Sequence, residues 1–138
     1  MSVKFPDELT APEGGWSKLI AQGVETQGCT HHLGACAEFA KGAMEAIRKR
    51  GRLGVVLERE PESGADGVAI RVIGYWRWRG LLSSANERRH IGYVPRKLAH
   101  RLVGEAQAGG RPESWGAQLR HIAMDNGPRI VFDVLGAA

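Results

Sequence analysis

The chain has 138 residues, of which 43% are hydrophobic and 25% are charged, and its formal net charge is +4. This length suits one domain that buries about two-thirds of its unfolded surface without a metal or a disulfide, and the composition indicates a compact globular protein rather than a disordered one. Nothing approaches the roughly 18 consecutive apolar residues of a membrane span. We therefore expect one domain over residues 1–138 with no membrane partner.

The first 18 residues are polar and include proline. They have neither the basic start nor the apolar run of a signal peptide. We interpret residues 1–18 as a polar N-terminal extension and expect a cytoplasmic protein.

Cys29 and Cys36 enclose two histidines, His31 and His32. Structural zinc sites normally use two separate chelating pairs, so we expect neither a metal nor another cofactor here. Without a secretory signal a disulfide is not expected either. The segment is interpreted as a strand leading into a helix, with both cysteines as small apolar fillers.

An amphipathic helix is predicted over Ala35 to Arg50, where apolar residues recur three and four positions apart. Its basic last turn complements the negative end of the helix dipole. The following strand is expected to end near Glu60, because Pro61 and the run 62–67 supply turn residues.

From Val68 onward the side chains alternate as in a half-buried strand. The alternation predicts a core face and a basic face, formed respectively by Ile70, Val72, Trp76 and Trp78, and by Arg71, Tyr75, Arg77 and Arg79. We interpret Gly80 to Arg89 as a loop with a Leu81–Ser84 tip, which offers a mobile segment or a contact surface.

The last third of the chain predicts a strand, a helix and a hairpin. His90 to Val94 is a short apolar strand, and Pro95 is suited to the start of the helix that follows. His121 to Leu135 is predicted to be a hairpin, because Asn126-Gly127 is a strong turn signal between two apolar runs. We therefore predict a mainly β fold with two or three helices.

Charge is concentrated between residues 71 and 101, which contain eight basic residues and one acid, Glu87. The run Tyr75-Trp76-Arg77-Trp78-Arg79 interleaves cations with aromatic rings. A strand that neutralises phosphates and stacks bases uses this combination. The alternative interpretation is that the tryptophans belong to the core and the arginines are solvated.

Several separated motifs agree with one family pattern in order. They are Arg59-Glu60-Pro61, Asp66, Ala69-Ile70-Arg71-Val72, Gly92-Tyr93-Val94-Pro95-Arg96 and Ala99 with Leu102. In these motifs the chain resembles the HIRAN domains. The resemblance implies a small OB-like β-barrel that binds single-stranded DNA and captures a free 3′ end.

The resemblance also implies contact residues. The turn aspartate of the family falls on Asp66, the aromatic residue on Tyr93, the basic residue on Arg96 and the first-strand pair on Thr30 and His31. The family's two turn asparagines and its stacking tyrosine fall on Glu62, Ser63 and Ala65, so three contact positions differ. Together with the basic strand face, the expected nucleic-acid-binding residues are Thr30, His31, Asp66, Arg71, Arg77, Trp78, Arg79, Tyr93, Arg96 and Lys97.

Enzyme chemistry has no support in the sequence, which contains no phosphate-cradling glycine loop and no serine elbow. We expect a non-catalytic module that binds single-stranded DNA or DNA ends. The alternative is a protein-interaction domain that retains the barrel without the 3′-end pocket and binds its partner through exposed apolar residues such as Leu81, Leu82 and Trp78.

Overall fold

A computed structural model describes residues 2–60 and 68–137. The elements are β1 (Ser2–Lys4), α1 (Asp7–Thr10), β2 (Trp16–Glu25), a 3-10 turn (Cys29–His32), α2 (Leu33–Arg48), β3 (Arg52–Arg59), β4 (Ile70–Arg79), β5 (Ser84–Tyr93), α3 (Arg96–Ala108), β6 (Gly116–Ala123) and β7 (Arg129–Ala137). The predicted mainly β class with two or three helices is confirmed.

The strands form two antiparallel sheets. One has four strands in the order β1-β6-β7-β2, and the other has three in the order β3-β4-β5. The sheets are joined at Gln27 and Tyr93, whose backbones exchange two N–H···O bonds of 2.8 Å. Over the two described ranges, strand pairing does not complete a circuit. The fold is therefore barrel-like but open, rather than a closed barrel.

Helix α2 lies against the inner face of the three-stranded sheet. Its Phe39 ring contacts Gly74, where an added Cβ would lie 2.7 Å from the ring. Its Gly42 lies under Trp76, and an added Cβ there would lie 2.1 Å from the indole. These two glycines allow helix and sheet to approach closely. The largest fully buried side chains are Phe39, Phe132, Leu53, Ile70, Ile91, Leu102, Leu119, Ile122 and Ile130.

The segment interpreted as an N-terminal extension contributes to the fold. Strand β1 pairs with β6, and Phe5 is buried in the core. Thr10 is also buried and donates its hydroxyl to the Leu119 carbonyl over 2.8 Å. Strand β1 therefore pairs along the edge of β6, and α1 contacts both β3 and β6.

Two local predictions are wrong. The expected loop Gly80 to Arg89 is a short turn at residues 80–83, after which β5 pairs with β4 from Ser84 onward. The charged run Glu87-Arg88-Arg89 concealed this strand, because its side chains find ion-pair partners instead of a core. The expected strand at Cys29 is a 3-10 turn, because Gly28 adopts a positive φ of 79° and ends the extended chain.

Other predictions are confirmed. Helix α2 (Leu33–Arg48) covers the predicted amphipathic segment except for its last two residues, and α3 begins directly after Pro95. Asn126 and Gly127 both have positive φ, 59° and 94°, at the turn of the β6-β7 hairpin. Across the described ranges, no helix has the length and apolar content needed to cross a bilayer.

Candidate nucleic-acid interface

The outer face of the three-stranded sheet carries the basic side chains of β4. Trp76 is buried against α2, whereas Arg71, Tyr75 and Arg77 are half-buried and Arg79 is exposed. The predicted alternation of core and basic faces along β4 is therefore confirmed.

One end of this face holds a polar cluster centred on Glu60. Its Oε2 atom accepts a hydrogen bond from Arg71 Nε over 3.1 Å and another from the Tyr93 hydroxyl over 3.0 Å. Arg71 and Tyr93 are opposite each other in the register of β4 and β5. The strand pairing therefore positions two donors around one carboxylate oxygen.

Two imidazole rings extend the Glu60 cluster, which we define as Glu60, Arg71, Tyr93, His90 and His32. The ring centroids of His90 and Tyr93 are 4.9 Å apart in an edge-to-face arrangement, and those of His32 and His90 are 4.6 Å apart. His32 comes from the 3-10 turn, Glu60 follows β3, Arg71 lies on β4, and His90 and Tyr93 lie on β5, so the cluster joins four separate parts of the chain.

The close approach of these segments depends on Gly92. It has φ of 155°, and an added Cβ would lie 2.4 Å from the Gln27 carbonyl oxygen and 2.6 Å from Thr26. Only glycine fits this contact without displacing the backbone of residues 26–27. The Gln27–Tyr93 pairing and the position of the 3-10 turn both follow from it.

The protonation states in the cluster are set by burial and by neighbouring groups. Burial and the nearby His32 lower the pKa of His90, and the opposing effects of its hydrogen bond to the Gly92 carbonyl and of Glu60 only partly offset them. His90 is therefore favoured in its neutral form. Burial and the hydrogen bond to Glu60 raise the pKa of Tyr93. Its hydroxyl therefore remains a donor at neutral pH.

Several predicted residues lie at or next to the cluster. Thr30 and His31 are exposed in the same turn as His32. Arg96 and Lys97 are exposed in the first turn of α3, three and four residues after Tyr93. Asp66 lies outside the described residues, as do the differing family positions 62, 63 and 65.

The other predicted residues lie at the far end of β4. Arg77 lies six positions after Arg71, which is about 20 Å along a strand. Arg77 forms an ion pair with Glu13 and lies beside a cleft of about 410 Å³ that Tyr75 also lines. Trp78 lies on the opposite face, where the Lys49 ammonium sits 5.0 Å from its ring centroid. Trp78 therefore lies on the face opposite Arg77 and Arg79, as the alternation predicts. Its contact with nucleic acid stays a prediction for a different face of the sheet.

The basic excess along the sheet is partly balanced by acids from other segments. Glu60 pairs with Arg71, Glu13 with Arg77, Glu58 with Arg88, and Glu38 with Arg89. The charge count over residues 71–101 does not include these acids, because all four precede residue 71 in the chain. A polyanion at this face must compete with carboxylates for the arginines.

Sequence reasoning missed Glu60, His32 and His90 as site residues. Glu60 belongs to the Arg59-Glu60-Pro61 motif but was read as a strand end, and His90 precedes Gly92-Tyr93 on the same strand. A search of residues 2–60 and 68–137 finds no group of three or more histidine, cysteine, aspartate or glutamate side chains placed to hold a metal. Cys29 and Cys36 are buried free thiols, and Cys36 contacts the Ile91 carbonyl at 3.4 Å.

Comparison with known protein families, curated proteins and solved structures finds no match to this chain.

Proposed function

We propose that this chain is a non-catalytic, HIRAN-like module that binds single-stranded DNA or DNA ends at the Glu60 cluster. The observation that carries the proposal is the joint engagement of Arg71 and Tyr93 by one Glu60 oxygen, beside two imidazole rings. These groups combine a cation, a carboxylate and aromatic surface in one place. We propose the cytoplasm as its location, in keeping with two free cysteines.

Each part of the cluster has a role in this proposal. The ring of Tyr93 and the imidazole of His32 offer surfaces for stacking a base, an interaction that tolerates any sequence. Arg71, Arg96 and Lys97 attract phosphates, and a guanidinium binds phosphate oxygens in a planar, two-pronged geometry. The Glu60 carboxylate accepts a hydrogen bond from a terminal hydroxyl.

The proposal includes a way to distinguish a 3′ end from an internal nucleotide. The Glu60 carboxylate accepts a hydrogen bond from Arg71 Nε, so a phosphate that binds the terminal guanidinium nitrogens would lie next to a negative charge. In this proposal the carboxylate repels a second phosphate at that position but accepts a hydrogen bond from a hydroxyl. We therefore propose that Glu60 is the carboxylate that recognises the 3′ end in this chain. It would act where three contact positions of the HIRAN pattern differ, at Glu62, Ser63 and Ala65.

Fluorescence anisotropy tests the proposal with labelled single-stranded oligonucleotides that carry either a free or a phosphate-blocked 3′ end. Binding should be salt-sensitive and tighter for the free end. Equal affinity for the two oligonucleotides would mean that the chain binds single-stranded DNA through a basic surface and does not recognise the 3′ end. Absence of binding at low salt would contradict the proposal and favour the protein-interaction alternative.

A further inference from the structure

Two leucines project from the tip of the β4-β5 hairpin. Leu81 and Leu82 are 104% and 101% exposed, about twice the exposure of Leu19 and Leu33, at 52% and 54%. The backbone N–H of Gly80 bonds to the Ser83 carbonyl over 2.7 Å and closes a tight turn. The turn therefore holds both leucines beyond the last paired residues of the hairpin.

The two leucines gain nothing from the fold. Two-residue hairpin turns normally use glycine, asparagine or aspartate, which accept the required backbone angles. Leucine at such a tip leaves a large apolar side chain in water. The pair therefore suits contact with an apolar phase outside the molecule.

The basic C-terminal end of α2 packs against the end of β4 that leads into this tip. The C-terminal end of α2 lies against β4, since an added Cβ at Gly51 would lie 2.1 Å from the Arg77 carbonyl oxygen and 2.7 Å from Trp78. The Lys49 ammonium lies 5.0 Å from the centroid of the Trp78 ring. The exposed cations at this end are Arg48, Lys49, Arg50 and Arg79.

The acids near the tip do not balance these cations. Glu13 pairs with Arg77 on the outer face of the sheet, and Glu87 pairs with Arg89. Glu45, in the last turns of α2, is half-buried. This end of the molecule therefore combines an apolar tip with a positively charged base, which we call the hairpin tip surface: Leu81 and Leu82 with Arg48, Lys49, Arg50 and Arg79.

We propose that the hairpin tip surface is a peripheral contact for an anionic phospholipid bilayer. The leucines enter the boundary between headgroups and acyl chains, and the cations bind headgroup phosphates. Such a contact is peripheral and needs no membrane span. The expectation of no membrane partner depends on the missing span, so it does not bear on a contact of this kind.

Shape favours a bilayer over other polyanionic or apolar partners. A stable protein interface buries about 800 Å² on each side, which a convex tip of two side chains does not supply. A bilayer needs no complementary shape. A nucleic acid would engage the cations but leave the leucines in water, unless bases unstack around them.

Co-sedimentation with vesicles tests this proposal. The full chain should bind vesicles of phosphatidylcholine and phosphatidylserine in a 70:30 ratio, bind much more weakly to pure phosphatidylcholine, and lose binding as salt rises. The double variant Leu81→Ser with Leu82→Ser should bind these vesicles at least about tenfold more weakly than the parent chain. The matched control, Leu19→Ser with Leu33→Ser, should bind like the parent chain.

Charge variants complete the test. Arg48→Gln with Arg50→Gln should weaken vesicle binding and reduce its salt dependence. Absence of binding to anionic vesicles, or unchanged binding by the Leu81 and Leu82 double variant, would overturn the proposal. Denaturant unfolding of each variant checks that it is folded. Because Leu81 and Leu82 are fully exposed, their replacement should leave the free energy of unfolding almost unchanged.

The membrane contact and the proposed DNA site are separable. Tyr93→Ala should leave vesicle binding unchanged, and the leucine double variant should keep the affinity for single-stranded DNA. A leucine variant that loses DNA affinity but keeps vesicle binding would assign the tip to nucleic acid and overturn the bilayer proposal.

Discussion

The Tyr93 hydroxyl and Arg71 Nε donate to the same Glu60 oxygen, over 3.0 Å and 3.1 Å. This shared acceptor fixes the tyrosine ring on one side and holds the guanidinium on the other. A ligand that binds either donor disturbs the other, so the three side chains act as a unit. Substitutions in the Glu60 cluster are therefore expected to be non-additive.

Replacing Tyr93 by alanine should weaken binding of single-stranded DNA by about 1–3 kcal/mol, because a stacking surface is lost. Tyr93→Phe retains the ring and should keep most of the affinity. Anisotropy titrations measure both variants. Equal losses for the two variants would assign the effect to the hydroxyl rather than to stacking.

Arg71→Ala should reduce the slope of log affinity against log salt by about 0.7, the contribution of one phosphate contact to a single strand. Arg129→Ala is the matched control, because Arg129 also forms an ion pair, with Glu25, but lies on the other sheet. The control should leave the slope unchanged. An identical slope for Arg71→Ala and the parent chain would remove Arg71 from the interface.

Glu60→Gln removes the charge that competes with phosphate for Arg71. The variant should bind an oligonucleotide with a blocked 3′ end more tightly than the parent chain does, with a steeper salt slope, because Arg71 gains an uncompensated charge. Its preference for a free 3′ end should decrease. The ratio of the two affinities, measured by anisotropy, tests the end-recognition role, and an unchanged ratio would contradict it.

The lowered pKa of His90 predicts a pH-dependent stability. A histidine whose folded pKa lies below its ordinary value of 6.5 binds fewer protons in the folded state, so stability is retained above pH 6.5 and falls as the pH drops below it. His90→Gln should remove part of this loss. Urea unfolding at pH 7.5 and pH 5.5 measures the difference, and parallel losses in both proteins would exclude His90 as a source.

Gly42→Ala should destabilise the fold by about 1–3 kcal/mol, because the new Cβ collides with the Trp76 ring at 2.1 Å. Gly104→Ala is the matched control in α3, where an added Cβ meets nothing within 4 Å. That change should stabilise the protein by up to about 1 kcal/mol, because alanine favours the helix. Denaturant unfolding at constant pH compares the two, and equal effects would contradict the close helix-sheet packing.

Local pattern predicted much of the fold. The alternation in β4, the periodicity of α2 and the Asn126-Gly127 turn each follow from neighbouring residues, and each appears as predicted. The first half of β5 was missed because its charged side chains are satisfied by Glu58 and Glu38, which are distant in the chain. Such pairing leaves no periodic signal in the sequence.

The candidate site was predictable only in part. Strand pattern and motif indicate Arg71 and Tyr93, but their common partner Glu60 depends on the register of β4 with β3 and with β5. His32 lies against His90 because Gly92 leaves room for residues 26–27, just before the 3-10 turn, to pair with β5. Long-range approach of this kind is set by packing, which a single sequence does not display.

Nuclear magnetic resonance of the labelled protein, titrated with a short single-stranded oligonucleotide, locates the DNA-binding surface residue by residue. We expect the largest chemical-shift changes at residues 27–32, at Glu60 and Arg71, and at residues 90–97. Shifts confined to other surfaces, such as the hairpin tip, or no shifts at low salt, would contradict the assignment of a nucleic-acid site to the Glu60 cluster.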